Sequence, residues 1–402
     1  MRNFNFRNYG DNLLFALALA VLITAVFHFA GRRDNTPAVI NIVFTQWWQE
    51  DIQGDFLQNL IAEFESLHEG IKVILNEKPY EELRQALFIP AAYDDENDGE
   101  TPLFPGDVLA LDPLWVPELF NRNAIESAES SFLSFINVLY FNIDILREAG
   151  FTRPPRTRSE FLTFARAIAA RGGGPVLGID ASGSRGIYDT VYPWIWAAGA
   201  RLINNGIPLA TTPPIVQSLS FLASLNDEGL IAPHALSSDS QNRLEDFISG
   251  RTAFMIAPTR YIGRVRERMG DQAFGITTIP ALDNQTTLPF LATVGWTIGV
   301  NSASAHKEEA SLFSAFLAGR APLLLNNVRG AIPTAPGLDP FYSNIWEIAL
   351  AGETAADFAG IAEEHKLEAV FREELSALFA GIATPAETAA AIQQRWLVVL
   401  RD

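Results

Sequence analysis

The sequence predicts an α/β protein of two lobes, each with a mixed sheet flanked by helices. Its 402 residues are too many for one ordinary hydrophobic core. Hydrophobic residues make up 48% of the chain and charged residues 19%, as in a packed globular protein. Between residues 131 and 169, a strand pattern, a short helix, a proline link and a longer helix follow one another, which is one packed α/β unit.

The central unit can be predicted residue by residue. Residues 135–141 are rich in β-branched and aromatic side chains, which is typical of a buried strand. Asn142 stands where a short helix would be capped, and Gly150 stands where that helix would end. After the proline link, Thr157 or Ser159 can cap a longer helix.

The rest of the chain alternates between strand and helix patterns. Short runs of β-branched and aliphatic residues predict strands over residues 39–44, 71–75, 106–112, 177–179, 274–280 and 296–300. Apolar residues at helical spacing predict helices with apolar stripes over residues 56–64, 215–225, 307–317, 364–378 and 385–400. The last helix opens at Thr384 and Pro385, a cap followed by proline at the first helical position.

The N-terminus suggests where the chain resides. Arg2 and Arg7 precede residues 13–30, which carry no formally charged side chain. This stretch is at the short end of a membrane-spanning helix, and no small-x-small cleavage site follows it. We therefore expect residues 1–12 in the cytoplasm, residues 13–30 as an anchor in the cytoplasmic membrane, and a linker over 31–37. A cleaved signal peptide and a buried core helix are the alternatives. Both the membrane anchor and the cleaved signal peptide would place residues 38–402 in the periplasm or outside the cell.

Composition excludes several classes of function. The net charge is −18 and no basic cluster follows the N-terminal segment, so nucleic acid is not an expected partner. The chain has no cysteine, which excludes disulfides, thiolate metal sites and cysteine nucleophiles. The sequence contains no HExxH metalloprotease motif, no G-x-S-x-G hydrolase motif and no phosphate-binding P-loop. We therefore expect neither an enzyme nor a cofactor. The acidic run over 94–100 begins like a calcium loop, but Pro105 replaces the bidentate glutamate, which favours a solvated loop.

Three motifs resemble one known family. They are Leu-Tyr-Phe-Asn-x-Asp-x-Leu-x-x-Ala-Gly over 139–150, Pro-Pro-x-Thr-x-x-Glu-Phe over 154–161, and Phe-x-x-Gly-Arg-x-Ala-x-Met-Ile over 247–256. This order is similar to that of the family 1 extracellular solute-binding proteins, the maltose-binding-protein-like partners of ABC importers. Over residues 39–400 the resemblance implies the two-lobe periplasmic-binding-protein fold.

The resemblance also implies boundaries and a function. Three segments would cross between the lobes near residues 131–136, 276–281 and 327–333. The first lobe would then comprise 38–132 and 278–328, and the second 133–277 and 329–402. The implied function is capture of a small solute, expected to be a sugar or oligosaccharide, by hinge closure. The protein would act as a monomer and present the solute to ABC permease subunits.

Aromatic and polar residues near predicted strand ends are the candidate ligand-binding residues. Solutes bind at the ends of α/β strands, where an indole can cover the C–H face of a sugar and a carboxylate can accept its hydroxyls. The candidates are Trp47, Trp48, Glu50, Asp112, Trp115, Asp189, Trp194, Arg260, Tyr261 and Trp296. For each tryptophan, simple burial in the core is the alternative. If Arg260 faces the cleft, an anionic sugar is favoured; if it faces solvent, Tyr261 is the stacking candidate.

Two other classes of function are compatible with the same sequence. The chain could be a tethered ligand-sensing ectodomain, although no signalling module follows its closing helices. It could also be a membrane-anchored polysaccharide hydrolase, which would turn over a sugar polymer instead of only binding it.

Overall fold

A computed structural model of the protein has the predicted two-domain α/β architecture. It describes residues 39–401, except residues 50, 53, 89–105, 130–131, 173, 182–184, 238, 286–288, 329 and 333–338. The predicted anchor over 13–30 and the acidic run over 94–100 lie outside the described residues. Within the described ranges, no helix is both long enough and apolar enough to span a membrane.

The strands occur where short apolar runs predicted them, with several short additions. They are β1 (Ile40–Gln46), β2 (Ile71–Glu77), β3 (Val108–Leu111), β4 (Ile125–Ala128), β5 (Leu133–Asn142), β6 (Leu177–Gly178), β7 (Ile203–Asn204), β8 (Ile207–Pro208), β9 (Phe254–Pro258), β10 (Phe274–Thr277), β11 (Phe290–Leu291), β12 (Thr293–Asn301) and β13 (Glu353–Thr354).

The helices carry the layers on either side of these strands. They are α1 (Phe56–Leu67), α2 (Tyr80–Phe88), α3 (Val116–Asn121), α4 (Ile143–Glu148), α5 (Arg158–Gly172), α6 (Gly186–Thr190), α7 (Tyr192–Ala197), α8 (Pro213–Asp227), α9 (Ser240–Ile248), α10 (Ile262–Met269), α11 (Lys307–Gly319), α12 (Ala321–Asn327), α13 (Pro340–Leu350), α14 (Glu364–Phe379) and α15 (Pro385–Val399).

One continuous path of strands runs through both lobes in the order β2-β1-β3-β12-β5-β9-β6. In the first lobe, β1 pairs parallel with β2 and β3, while β12 runs antiparallel to β3. In the second lobe, β9 lies antiparallel to β5 and parallel to β6. The sheet is therefore mixed in both lobes, as the sequence predicts.

Strands β5 and β12 join the lobes. The first residues of β12, from Thr293 to Trp296, pair antiparallel with residues 136 to 133 of β5. Beyond this pairing β12 continues into the first lobe, whereas β5 continues into the second and pairs with β9 and β10. Each crossing strand is thus shared between the lobes, so its backbone bonds are satisfied along its length.

The hydrophobic core follows this division. A first-lobe core gathers the inner faces of β1, β3, α1 and α11. The second lobe has a core on each face of its sheet because successive strand residues point to opposite sides. In β9, Phe254 and Ile256 face one core, while Met255 and Ala257 face the other.

The return segment takes a different path from the one expected. The strand over 274–280 was expected to cross near 276–281, but β10 pairs with the far half of β5, inside the second lobe. Ile279 and Ala292 also pack into a second-lobe core. The strand that returns to the first lobe is β12, which begins at Thr293, three residues before its predicted start.

Local helix signals in the sequence are confirmed. The Asn142 side chain accepts hydrogen bonds from the N–H groups of Asp144 and Ile145 at 3.1 Å each, capping α4. Thr157 caps the next helix, since its Oγ1 accepts from the N–H of Glu160 at 3.3 Å. Thr384 forms a reciprocal capping box with Glu387 at the start of α15.

Candidate functional site

A cavity of about 510 Å³ lies between the lobes. The first lobe supplies residues that follow the ends of its strands: Trp47 after β1, Tyr80 after β2 and Asp112 after β3. The second lobe supplies Arg185 and Asp189 at α6, and Arg260 and Tyr261 after β9. This is the edge of an α/β sheet at which ligands bind, and the volume is that of a small-molecule site.

Asp112 is held on one wall by contacts from both lobes. Its Oδ1 accepts from the N–H of Leu114 at 3.0 Å, and its Oδ2 accepts from the Tyr80 hydroxyl at 3.1 Å. The guanidinium of Arg185, from the second lobe, pairs with the same Oδ2. The carboxylate is therefore fixed in place before any ligand group reaches it.

Arg185 forms the opposite wall together with Asp189. Its Nε lies 3.5 Å from Asp189 Oδ1, which also accepts from the Asn137 side-chain amide at 3.2 Å. Burial lowers the pKa of Arg185, but the charges of Asp112 and Asp189 outweigh burial and hold that pKa well above its usual value. Arg185 is thus a permanent cation between two carboxylates.

Arg260 reaches the cavity, but its charge is matched inside the protein. Its Nη1 donates to Asp51 Oδ2 at 3.0 Å, and Arg264 Nη2 donates to Asp51 Oδ1 at 3.1 Å. Both guanidiniums lie over the Tyr261 ring, at 4.8 and 4.7 Å from its centroid. The Tyr261 ring is therefore already in contact with two cations.

Two buried carboxylates lie behind the cavity on α14. Glu368 accepts hydrogen bonds from the N–H groups of Ile187 at 3.0 Å and Tyr188 at 3.4 Å. Burial raises the pKa of Glu364 to about 7, against the opposing charge of Arg185. Burial and the charge of Glu364 raise the pKa of Glu368 as well. Both carboxyls therefore hold their protons to a higher pH than exposed carboxyls do, which limits the negative charge that they add near Arg185.

The predicted site residues divide into two groups. The cavity is lined by Trp47, Asp112, Asp189, Arg260 and Tyr261. Four of the expected ligand-stacking tryptophans lie instead in the hydrophobic cores: Trp48, Trp115, Trp194 and Trp296. Glu50 lies outside the described residues.

The buried tryptophans have aromatic partners in place of a ligand. Trp296 stacks on Trp48, with ring centroids 4.6 Å apart, and is fully buried. Trp194 packs edge-on against Phe161 at 5.2 Å, and Trp115 lies 4.8 Å from the Tyr80 ring. Being near a strand end does not determine which side a side chain faces, and these four face the interior.

Tyr80 and Arg185 are two of the lining residues that the sequence did not predict. Tyr80 follows β2, and the rule that selected Trp47 after β1 would also have selected it. Arg185 had no such signal, because it follows a Ser-Gly-Ser stretch and not a strand. Only the structure shows that it reaches Asp112 across the cleft.

Comparisons with known proteins agree on the kind of fold. A family model described as bacterial extracellular solute-binding protein matches residues 47–322. A binding protein of Brucella abortus (strain 2308) is 26% identical over 145 residues, which are 36% of this chain and 35% of that protein. A Deinococcus radiodurans protein named as an ABC transporter-binding protein is 27% identical over 192 residues, 45% of each chain. The chain thus matches between about a third and a half of the length of these curated relatives.

Solved structures extend the likeness to nearly the whole chain. The maltose-bound MalE3 of T. maritima has a TM-score of 0.71 at 17% identity, covering 89% of this chain and 99% of its own. A solute-binding protein of Thermotoga lettingae bound with α-D-tagatose has a TM-score of 0.72 at 15% identity, covering 90% and 100%. The GacH receptor of Streptomyces glaucescens, solved unliganded and with acarbose, has a TM-score of 0.71 at 17% identity, covering 90% and 98%. At these identities the likeness shows the fold.

Proposed function

Because the chain belongs to the bacterial extracellular solute-binding proteins, we propose that it captures a neutral sugar or oligosaccharide between its lobes and delivers it to an ABC importer. The observation that carries this proposal is the cavity itself. Aromatic rings and fixed charged groups from both lobes converge on it at the strand ends.

The lining suits a polyhydroxylated ligand. Trp47 and Tyr80 offer apolar ring surface for the C–H face of a sugar. Asp112 and Asp189 can accept hydrogen bonds from hydroxyls, and Arg185 can donate to hydroxyl or ring oxygens. The solved relatives bound with maltose, acarbose or tagatose support a carbohydrate.

The charges favour a neutral sugar over an acidic one. Arg260 does face the cleft, the condition under which the sequence favoured an anionic ligand, but Asp51 already pairs with it. Among the residues that the structure describes, five carboxylates line the cavity, from Glu81, Asp112, Asp180, Asp189 and Asp239, against three guanidiniums, from Arg185, Arg260 and Arg264. A carboxylated sugar would meet an excess of negative charge here.

We place three hinge segments where the lobes join. Two are the paired stretches of β5 and β12 around residues 133–136 and 293–296. The third is residues 328–332, where the N–H of Ile332 donates to the carbonyl of Ser134 at 2.8 Å. The proposed first lobe then comprises 39–132 and 293–328, and residues 278–292 move to the second. We expect a monomer whose lobes open and close about these segments to admit and enclose the solute.

We also propose that residues 13–30 anchor the chain in the cytoplasmic membrane, with the binding lobes in the periplasm. The uncharged stretch and the lack of a clean cleavage site support this location. Fractionation of cells that express the full chain should recover it with membranes. A soluble periplasmic form whose first residue lies near position 31 would refute the anchor.

Binding is tested with the full chain in detergent. A thermal-shift screen across neutral, amino and acidic sugars should give stabilisation by a neutral sugar, with calorimetry on the best hit to measure affinity. Stabilisation by acidic sugars alone would reject the neutral-sugar proposal. Hydrolysis of the bound sugar would favour the hydrolase alternative, and binding without turnover disfavours it.

A further inference from the structure

We propose that ion pairs between the lobes, centred on Asp51 and its two arginines, hold the cleft closed before any solute is bound. Each pair joins protein groups of the two lobes directly and needs no ligand to form. These contacts set the resting conformation of the protein, whatever solute it binds.

The first ion pair lies at the Asp51 side of the cleft. Asp51 is fixed in the first lobe, because its N–H donates to the carbonyl of Trp48 at 2.9 Å and the next residue, Ile52, packs in the first-lobe core. Its side chain is only 1% exposed. Its two carboxylate oxygens accept from different residues of the second lobe, Arg260 and Arg264. Opening the cleft would separate both contacts at once.

The arginines are positioned for this contact by their own lobe. Both guanidiniums rest over Tyr261, whose side chain packs in a second-lobe core. Such preorganisation reduces the conformational entropy lost when an ion pair forms. The desolvated setting also strengthens the attraction relative to a pair in water. The contact therefore favours the closed arrangement more than an ordinary surface ion pair would.

A second set of contacts between the lobes joins α14 to α3 and α2. His365 of α14, in the second lobe, has its Nδ1 3.0 Å from Oε2 of Glu118 on α3, in the first lobe. The His365 ring also faces Phe88 of α2, with centroids 6.5 Å apart. Together with the Asp51 pairs and with Asp112–Arg185 at the cavity wall, this contact links the described parts of the two lobes at a third place.

The distance between the lobes can be measured directly. The chain has no native cysteine, so Gln58→Cys on α1 and Glu267→Cys on α10 give one exposed labelling site in each lobe. Double electron–electron resonance between spin labels at these sites, without sugar, should show a predominantly short distance in the parent. Asp51→Asn should move the distribution to longer distances, and Asp51→Glu, which keeps the carboxylate, should restore the short one.

Controls separate closure from folding. Glu228→Gln removes an ion pair with Arg166 inside the second lobe and should leave the distance unchanged. If Asp51→Asn does not fold, Arg264→Gln and Glu118→Gln each weaken one interlobe contact and should lengthen the distance. A parent distribution identical to that of folded variants would overturn the proposal. A failure to find any sugar ligand would leave these distances unaffected, so the two proposals fail separately.

If the solute binds the closed form, the ion pairs between the lobes also influence the affinity for the solute. A variant whose closed fraction falls to between a tenth and a hundredth should bind the best sugar about 10- to 100-fold more weakly. An unchanged dissociation constant in a variant with a longer distance would show that the solute does not require the closed form, and would contradict this part of the proposal.

Discussion

Trp48 and Trp296 lie ring against ring in the first-lobe core, with centroids 4.6 Å apart and planes inclined by 10°. Trp48 follows β1, whereas Trp296 lies within β12, so the stack ties the first strand of the lobe to the last strand that enters it. Trp47 packs edge-on against Trp296 at 6.1 Å and reaches the cavity. The buried pair therefore supports the part of the cavity wall that Trp47 forms.

Trp296→Ala should reduce stability. The side chain is fully buried, so its loss removes apolar contact area and leaves a cavity that costs about 3–5 kcal/mol of unfolding free energy. Urea denaturation followed by circular dichroism measures this change. A variant as stable as the parent that has lost only sugar binding would show that Trp296 faces the ligand after all.

Tyr80→Phe should weaken sugar binding without much loss of stability. The Tyr80 hydroxyl donates to Asp112 Oδ2 at 3.1 Å, and without it the carboxylate is held less firmly in place for the sugar, at a cost of up to the about 0.5–1.5 kcal/mol that such a bond contributes. Calorimetry should therefore show an affinity lower by about 2- to 12-fold. Tyr188→Phe is the matched control, since its hydroxyl donates to the carbonyl of Thr293 and its side chain does not line the cavity. Equal losses in both variants would contradict a specific role for Tyr80.

Glu364→Gln should remove part of the pH dependence of stability. Burial raises the pKa of Glu364 to about 7, so the folded state holds its proton over a pH range in which the unfolded state has released it. The stabilisation that this group contributes is therefore fully present below the pKa of Glu364 in the unfolded state. It decreases as the pH rises toward 7.

Thermal and urea unfolding of the parent and the variant at several pH values test whether stability decreases as the pH rises. Between about pH 5 and pH 8, the free energy of unfolding of the parent should decrease by on the order of 2 kcal/mol more than that of Glu364→Gln. Glu245→Gln, on the exposed face of α9, is the control and should keep the parent's profile in this range. A variant with the full pH dependence of the parent would place the titrating group elsewhere.

Gly330→Ala should disturb the join between the lobes. Gly330 has a φ of +79°, and a Cβ atom there would lie 2.0 Å from the carbonyl oxygen of Thr259. The Thr259 hydroxyl donates to the Gly330 carbonyl at 2.6 Å and accepts from the N–H of Ile136 at 3.2 Å, so three segments meet at this point.

The expected loss is more than about 2 kcal/mol, from backbone strain and the clash together. Gly381→Ala is the matched control, because Gly381 has a φ of +68° but open space around it. Its substitution should cost only about 1 kcal/mol. Similar losses in both variants, measured by urea denaturation, would argue against close packing at Gly330.

Much of the fold could be predicted because the signals are local. The β5 strand, the Asn142 cap and the capping box at Thr384 each depend on residues within a few positions of one another. The family match also confirms the resemblance based on the order of motifs. The return crossing was misplaced because the run over 274–280 reads equally well as a hinge strand and as a strand at the edge of the second lobe.

The site was harder to predict because it depends on which face each side chain takes. Trp296 was expected to begin a strand, but three further residues of β12 precede it, which places it inside the pairing with β5. Arg185 and Asp112 are 73 residues apart in sequence, and Arg260 and Asp51 are 209 apart. No local pattern records contacts at such separations, so the charge pairing across the cleft emerged only from the structure.

The position of β12 also constrains the order in which the protein can fold. This strand lies between β3 and β5, yet it comes from residues 293–301, long after both neighbours have been synthesised. Until it arrives, β3 has a bare edge and the first-lobe core lacks Trp296, Ile298 and Val300. Pairing over so long a loop is slow. The first lobe of a chain emerging from the ribosome therefore stays incompletely folded until residues 293–301 have been made.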